Sequence, residues 1–136
     1  MDTLIPSERS KRMAQVRSKG NKSTELRVAE LFRKLRIIGW RRGYLLPGRP
    51  DFVFPKTRIA LFVDGCFWHG CPEHYRRPKS RQRFWDQKIV ANVKRDRSVN
   101  QLLRARGWKV VRLWEHEVKV ALPLRIVRTL LHVSRR

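Results

Sequence analysis

The chain has 136 residues, enough for one hydrophobic core and too few for two. Its 33 Lys and Arg against 11 Asp and Glu leave a formal charge of +22, the balance of chains that neutralise phosphates, so nucleic acid is the leading partner. With no apolar run of about 18 residues and no N-terminal signal stretch, the chain reads as soluble and intracellular rather than membrane-bound or secreted.

Residues 1–20 read as a basic arm and 21–136 as a single domain. Within the arm, "SERSKRMAQVRSKGNK" is either a short helix that gains order on a polyanion or a solvated charged tail. Ser23 or Thr24 can cap a helix from Glu25 to Arg36, whose apolar stripe holds Leu26, Ala29 and Phe32, and Gly39 lies beyond it. "GWRRGYLL" predicts a strand leading into "PGRPD", where two prolines prevent ladder pairing. "DFVF", the turn "PKTR" and "IALFV" then predict a hairpin. A long helix from Gln82 to Arg106 is closed by Gly107, "WKVVRLW" is a strand, and "LPLRIVRTLLHV" is a last helix with Pro123 near its first turn. The order predicts a mixed α/β sandwich.

The carboxylates are few enough to take singly. If the turn is Pro55 to Arg58, Phe54 pairs with Ile59, Asp51 lies opposite Phe62, and Asp64 is its diagonal neighbour on the same face. Two carboxylates at the open end of a hairpin suit Mg²⁺, although Asp51 can equally serve the turn after Pro50. On the long helix Trp85, Ile89, Asn92, Asp96, Val99 and Leu103 share one narrow face. A buried carboxylate there needs a partner, so Asp96 should meet a histidine, a metal-bound water or an arginine. Glu25, in a first turn, suits the positive end of a helix dipole.

The two cysteines sit five apart in one loop, a spacing better suited to metal than to a disulfide. Cys66, Cys71 and His74 have zinc-ligand spacing, and His116, after the strand "WKVVRLW", is the candidate fourth ligand. Such a site would pin the loop rigidly. His69, between these ligands, is either a fifth ligand or a general base. Phe67 and Trp68, joined by Trp85, either cover the metal or project as an apolar wedge between base pairs. His132 reads as packing or surface.

Taken together, "RSKRM", "TELRVAELF", "LPGRPDFVF", "FVDGCFWHGC", "FWDQKI", "NVKRDR" and "GWKVVRLWEHE" resemble the very short patch repair endonucleases, in that family's order and spacing over most of the chain. The resemblance implies a restriction-endonuclease-like mixed sheet flanked by helices, with a structural zinc site. It also implies a Mg²⁺-dependent cut of one strand of double-stranded DNA beside the T of a T·G mismatch. Carried over by position, Asp51 is the metal ligand with the Val63 carbonyl, His69 activates water, and Glu25 and Asp96 orient His69 and metal-bound water. Phe67, Trp68 and Trp85 match the wedge, Met13 enters the opposite groove, and Cys66, Cys71, His74 and His116 match the zinc set. Asp64 departs from the family by standing where a second active-site histidine can occur, which makes it a further candidate metal ligand. The related pattern PD-(D/E)xK is half met, since Cys66 stands in the lysine position and leaves that task to His69.

The implied setting is the bacterial cytoplasm and nucleoid, with mismatch-repair proteins as further partners and a monomer suited to an asymmetric cut. Two rivals stand beside this reading: a nickase of altered recognition serving restriction or phage defence, and a catalytically inactive, zinc-stapled DNA-binding module.

Overall fold

The computed structural model describes residues 24–134, so the arm, including Met13, lies outside the described residues. Helix α1 occupies residues 24–34 and ends earlier than its sequence predicts. Arg36 adopts the left-handed conformation (φ 57°), its N–H bonding Arg33 O at 3.2 Å, while Ile37 N–H returns to Phe32 O at 2.9 Å. That pattern is the Schellman stop, and the contact it brings buries Ile37 beside Phe32. A helix can therefore close on arginine three residues before the expected glycine.

The strand predicted over "GWRRGYLL" is absent, and only a bridge between Arg41 and Val53 forms, with backbone bonds of 2.8 and 2.9 Å. Gly39 and Gly43, at φ 87° and 69°, turn the backbone out of the extended region on both sides of that bridge. The hairpin forms with the expected register: β1 (Phe52–Phe54) pairs antiparallel with β2 (Ile59–Asp64), Phe54 opposite Ile59 and Phe52 opposite Leu61. Asp51 lies in a bend just before β1, and its N–H bonds the carbonyl of Leu61, the residue paired with Phe52, at 3.0 Å.

After β2 the chain loops to α2 (Gln82–Ala105) and returns as β3 (Lys109–Trp114), parallel to β2. The result is a three-stranded mixed sheet in the order β1-β2-β3. A short helix that the sequence pattern did not announce, α3 (Glu115–Val120), follows directly, its start held by Glu117 Oε1 accepting the Trp114 N–H at 3.0 Å. The chain then enters α4 (Leu124–Ser134).

Strand alternation decides what each face carries. Ile59, Leu61 and Val63 of β2 and Val111 and Leu113 of β3 point to one face, where they pack with Phe32 of α1, Val118 of α3 and Ile126 and Leu130 of α4. Ala60 and Phe62 point to the other face, against Leu103 and Val99 of α2. All six residues of β2 are buried, as expected for a central strand covered on both sides. By the same alternation Asp51, Asp64 and Arg112 belong to the α2 face, beyond the point where its apolar packing ends. No helix among the described residues is long and apolar enough to cross a membrane.

The turn before β1 is pressed onto α2. Gly48 has φ 78°, and a Cβ there would lie 2.5 Å from Val99 Cγ1. Gly48→Ala is therefore expected to cost about 1–2 kcal/mol by strain and displacement of the turn, read as a lower midpoint in urea unfolding. Val99→Ala in the same background should recover part of the loss.

Candidate active site and metal centre

On the α2 face, a cavity of about 440 Å³ opens at the carboxyl ends of β2 and β3. Its lining includes Arg49, Asp51, Asp64, His69, Asp96 and Arg112. Glu25 adjoins on the far side of Asp51, in a neighbouring depression with Arg42 and Arg49. Residues far apart in the chain thus converge because one strand end, one helix face and one loop meet there.

Asp51 sits at the entrance of β1, and its Oδ2 accepts the Val63 N–H at 2.6 Å. This bond turns the carboxylate toward the cavity and lies across the hairpin rather than within the turn after Pro50. Burial pushes the Asp51 carboxyl up to about 8, reinforced by the hydrogen-bonding and charge of Glu25 and by the charge of Asp64, and opposed by the Val63 amide. Glu25 does more than face a helix dipole: its Oε2 takes a 2.7 Å ion pair from Arg42.

His69 belongs to this cavity and not to the sulfur cluster. Its Nδ1 lies 2.5 Å from Asp96 Oδ2 and 3.8 Å from Asp64 Oδ1. Burial disfavours the Asp96 anion, but the His69 hydrogen bond and the charges of His69, Arg112 and Arg95 outweigh it and hold the carboxyl below its ordinary range. An ionised Asp96 can only accept, so Nδ1 carries the proton in that contact and Nε2 is left as the ring's basic nitrogen. The partner that the sequence demanded for Asp96 is thus a histidine, with Arg112 behind it at 3.8 Å. Asp64 is 6% exposed; burial raises its pKa against the pull of His69 and Arg112, and Arg112 Nη1 donates to its Oδ1 at 2.9 Å.

Arg112 escaped the sequence reading, since a polar residue alternating within "KVVRLW" looks like the solvent side of a strand. Asn92 lies on the α2 stripe between Ile89 and Asp96. It is 3% exposed, donates to the Trp68 carbonyl at 2.8 Å and accepts from Arg95 at 2.7 Å, so it ties the aromatic loop to α2.

Cys66, Cys71, His74 and His116 form a separate group whose candidate ligand atoms all lie within 4.8 Å of one another. His116 Nδ1 is 3.3 Å from Cys66 Sγ and 3.7 Å from Cys71 Sγ, and His74 Nδ1 is 3.9 Å from Cys71 Sγ. A tetrahedron around zinc, with bonds of about 2.0–2.3 Å, has edges of about 3.3–3.8 Å, so donor type, number and spacing fit that ion. Burial pushes the Cys66 thiol up to about 11, relieved in part by His116. Glu115 Oε1 accepts the Cys66 N–H at 3.0 Å and Glu73 Oε2 lies 3.5 Å from His116 Nε2, which orients the ring with Nδ1 toward the sulfurs.

Phe67 and Trp68 are half-buried in a ring cluster with Trp85: the Phe67–Trp68, Phe67–Trp85 and Trp68–Trp85 centroids lie 5.3, 5.5 and 6.1 Å apart. Tyr75 adds a contact at 5.8 Å to Phe67. The three rings meet edge to face, at interplanar angles of 83°, 68° and 66°.

This constellation joins a buried acid pair, an oriented imidazole and a four-donor clamp on a strongly basic chain. The family model described as DNA mismatch endonuclease Vsr matches residues 1–75. Among curated proteins, the chain is 45% identical over 124 residues to "Type II nicking enzyme V.XorIIP" of Xanthomonas oryzae pv. oryzae, with 86% of each chain covered. It is 39% identical over 134 residues to "Type II nicking enzyme V.NaeI" of Lentzea aerocolonigenes, covering 93% of this chain and 78% of that one. It is 37% identical over 115 residues to "DNA mismatch endonuclease Vsr" of Escherichia coli, covering 84% and 73%. A hydrolase that cuts DNA accounts for both the charge and the pocket, and the chain belongs to the Vsr family of DNA endonucleases.

Proposed function

We propose that the protein is a Mg²⁺-dependent nickase that cuts one strand beside the T of a T·G mismatch on a restriction-endonuclease-like scaffold, with zinc as a structural ion. The observation that carries the reading is His69, whose Nδ1 is taken by Asp96 while its ring lines the same cavity as Asp51. Asp51, with the Val63 carbonyl, is the set that would hold Mg²⁺. Bound there, Mg²⁺ supplies polarisation of the scissile phosphate and neutralises the departing oxygen. His69 Nε2 removes the proton from the attacking water, Asp96 fixes the ring and stabilises its cationic form, and Glu25 shapes the acidic wall beside Asp51. Asp64 closes that wall from the β2 side.

Cys66, Cys71, His74 and His116 would hold zinc, whose contribution is structural: it ties the loop after β2 to the end of β3. Phe67 and Trp68, backed by the buried Trp85, enter between bases from one groove and Met13 from the other. A mispaired step is easier to unstack than a paired one, which supplies the selectivity. Lys and Arg phosphate contacts supply affinity, strongly reduced by salt. The proposed setting is the DNA of a bacterial cytoplasm, with a monomer acting beside mismatch-repair proteins.

A second reading is favoured by the relatives named type II nicking enzymes: the same chemistry serving restriction or phage defence with altered recognition. Strand-resolved cleavage decides between them. On a T·G duplex the wild type is expected to nick one strand faster than on its fully paired counterpart, whereas equal rates remove mismatch selection. Asp51→Ala is expected to abolish Mg²⁺-dependent nicking and His69→Ala to lower kcat by about 10²–10⁴-fold. A wild type that binds duplex and never nicks it leaves the inactive-module alternative standing.

The raised Asp51 pKa gives a pH test. Its proton is retained on folding, so this group's contribution to stability is full below the unfolded value near 3.8 and disappears as pH rises through about 8. Mg²⁺ must displace that proton, so the rise in Tm on adding Mg²⁺ is expected to be small at about pH 6 and larger at about pH 8.5. A pH-independent rise counts against Asp51 as the ligand.

Zinc is tested separately. Elemental analysis is expected to give one equivalent per chain, lost in Cys71→Ser together with several degrees of Tm, and Glu73→Gln is expected to weaken zinc about tenfold in competition with a chelating dye. Full Tm and no zinc in the wild type would remove the structural ion.

A further inference from the structure

The geometry around His69 raises a question that the family reading leaves open, because two carboxylates face a single ring N–H. Asp96 Oδ2 lies 2.5 Å from His69 Nδ1, and Asp64 Oδ1 lies 3.8 Å from the same atom. Only one of them can orient the ring. The Asp64 oxygen nearest His69 is the one that receives Arg112 Nη1 at 2.9 Å. The same Nη1 approaches Asp96 through Oδ1 at 3.8 Å, leaving Oδ2 for the imidazole.

Arg112 is itself held. Its Nε donates to Asn100 Oδ1 at 2.8 Å, one turn beyond Asp96 on α2, and its guanidinium carbon lies 4.1 Å from the centroid of the Phe62 ring. One side chain from β3 thereby links the end of β2 to the face of α2 behind the cavity. Because the guanidinium is planar and stacked, its donors point in fixed directions, which a flexible ammonium does not reproduce.

We infer that Arg112 is a positioning residue of the hydrolytic site: by engaging Asp64 Oδ1 it assigns the His69 Nδ1–H to Asp96 and so fixes the direction in which Nε2 faces the scissile phosphate. The inference rests on His69 acting as the base and adds the part that decides its orientation. Without the guanidinium, Asp64 competes for Nδ1–H and the ring samples two orientations. Removing both charges removes the competition.

The test uses the full chain as Arg112→Met, Arg112→Lys and the paired Asp64→Asn/Arg112→Met, each checked for cooperative unfolding. On the T·G duplex with saturating Mg²⁺, Arg112→Met is expected to lower kcat by about tenfold or more with KM unchanged within about twofold. Arg112→Lys should retain an intermediate kcat, and the paired variant, which also removes the Asp64 charge from the acidic wall, is read by the order of the His69 ring rather than by kcat. In parallel, the downfield Nδ1–H proton resonance of His69, identified by its absence in His69→Asn, should be sharp in the wild type and paired variant and broadened or lost in Arg112→Met. An unchanged kcat and an unchanged resonance in a folded Arg112→Met overturn the inference. So does a loss confined to KM, the mark of a direct phosphate contact, or a His69 resonance as broadened in the paired variant as in Arg112→Met. If the wild type nicks no duplex, the catalytic reading fails, while the resonance across the same variants still decides what Arg112 does to the ring.

Discussion

The loop between Cys66 and Cys71 is held at more points than its length requires, and the site depends on that constraint. Cys71 N–H bonds Cys66 O at 2.8 Å and His69 N–H bonds Gly65 O at 3.1 Å, so the loop is a closed turn before any side chain acts. Gly70, at φ 63°, brings the turn so close to α2 that a Cβ would lie 2.9 Å from Ile89 Cγ2. Asn92 takes the Trp68 carbonyl from the same helix. The sulfurs face His116, just past the end of β3, and His69 faces Asp96 and Asp64. A catalytic imidazole needs placement to about half an ångström, and a free loop does not supply it. Four thiol and imidazole donors on one side and α2 on the other do.

Charge is distributed with the same economy. The chain carries 33 basic residues against 11 acidic ones, yet Glu25, Asp51, Asp64 and Asp96 gather around one cavity. A basic exterior draws a polyanion, while a local acidic concavity draws a small divalent cation, and the two fields coexist because they act at different ranges. The acids remain tolerable to the fold because each is answered locally: Arg42 at Glu25, the Val63 amide at Asp51, Arg112 at Asp64 and His69 at Asp96. Among the described residues Asp51 is the least well answered, having an amide but no ion pair, and burial holds its pKa up.

Much of this was legible in one dimension because it obeys short periods. A four-residue turn between two apolar runs sets the hairpin register, and strand alternation then puts Asp51 and Asp64 on one face. The helical period likewise brings Asn92 and Asp96 to the apolar face of α2. What was not legible depends on partners distant in sequence. Arg112 reads as a surface residue until α2 is known to cover its face. "GWRRGYLL" has strand composition, yet its glycines, in left-handed turns, limit it to one bridge. α3 is too short to show a period, and its start is set by one carboxylate reaching back to Trp114.

The aromatic cluster shows why wedge and minicore are not exclusive. A side chain that enters a base stack must be ordered before contact, since freezing a rotamer-rich side chain at an interface costs about 0.5–1.5 kcal/mol. Phe67, Trp68 and Trp85 meet edge to face, near the 5–6 Å separations at which ring quadrupoles attract. Trp85 is 8% exposed and anchors the group to α2, while Phe67 and Trp68 keep part of their surface toward solvent. Each ring thus limits the motion of its neighbours and the ordering cost falls on folding rather than on DNA. The same packing fixes the Trp68 carbonyl on Asn92, and His69 follows Trp68 directly in the chain. A displacement of the rings would therefore be transmitted through a single peptide unit to the imidazole, which on the proposed reading would couple engagement of the base stack to alignment of the hydrolytic site.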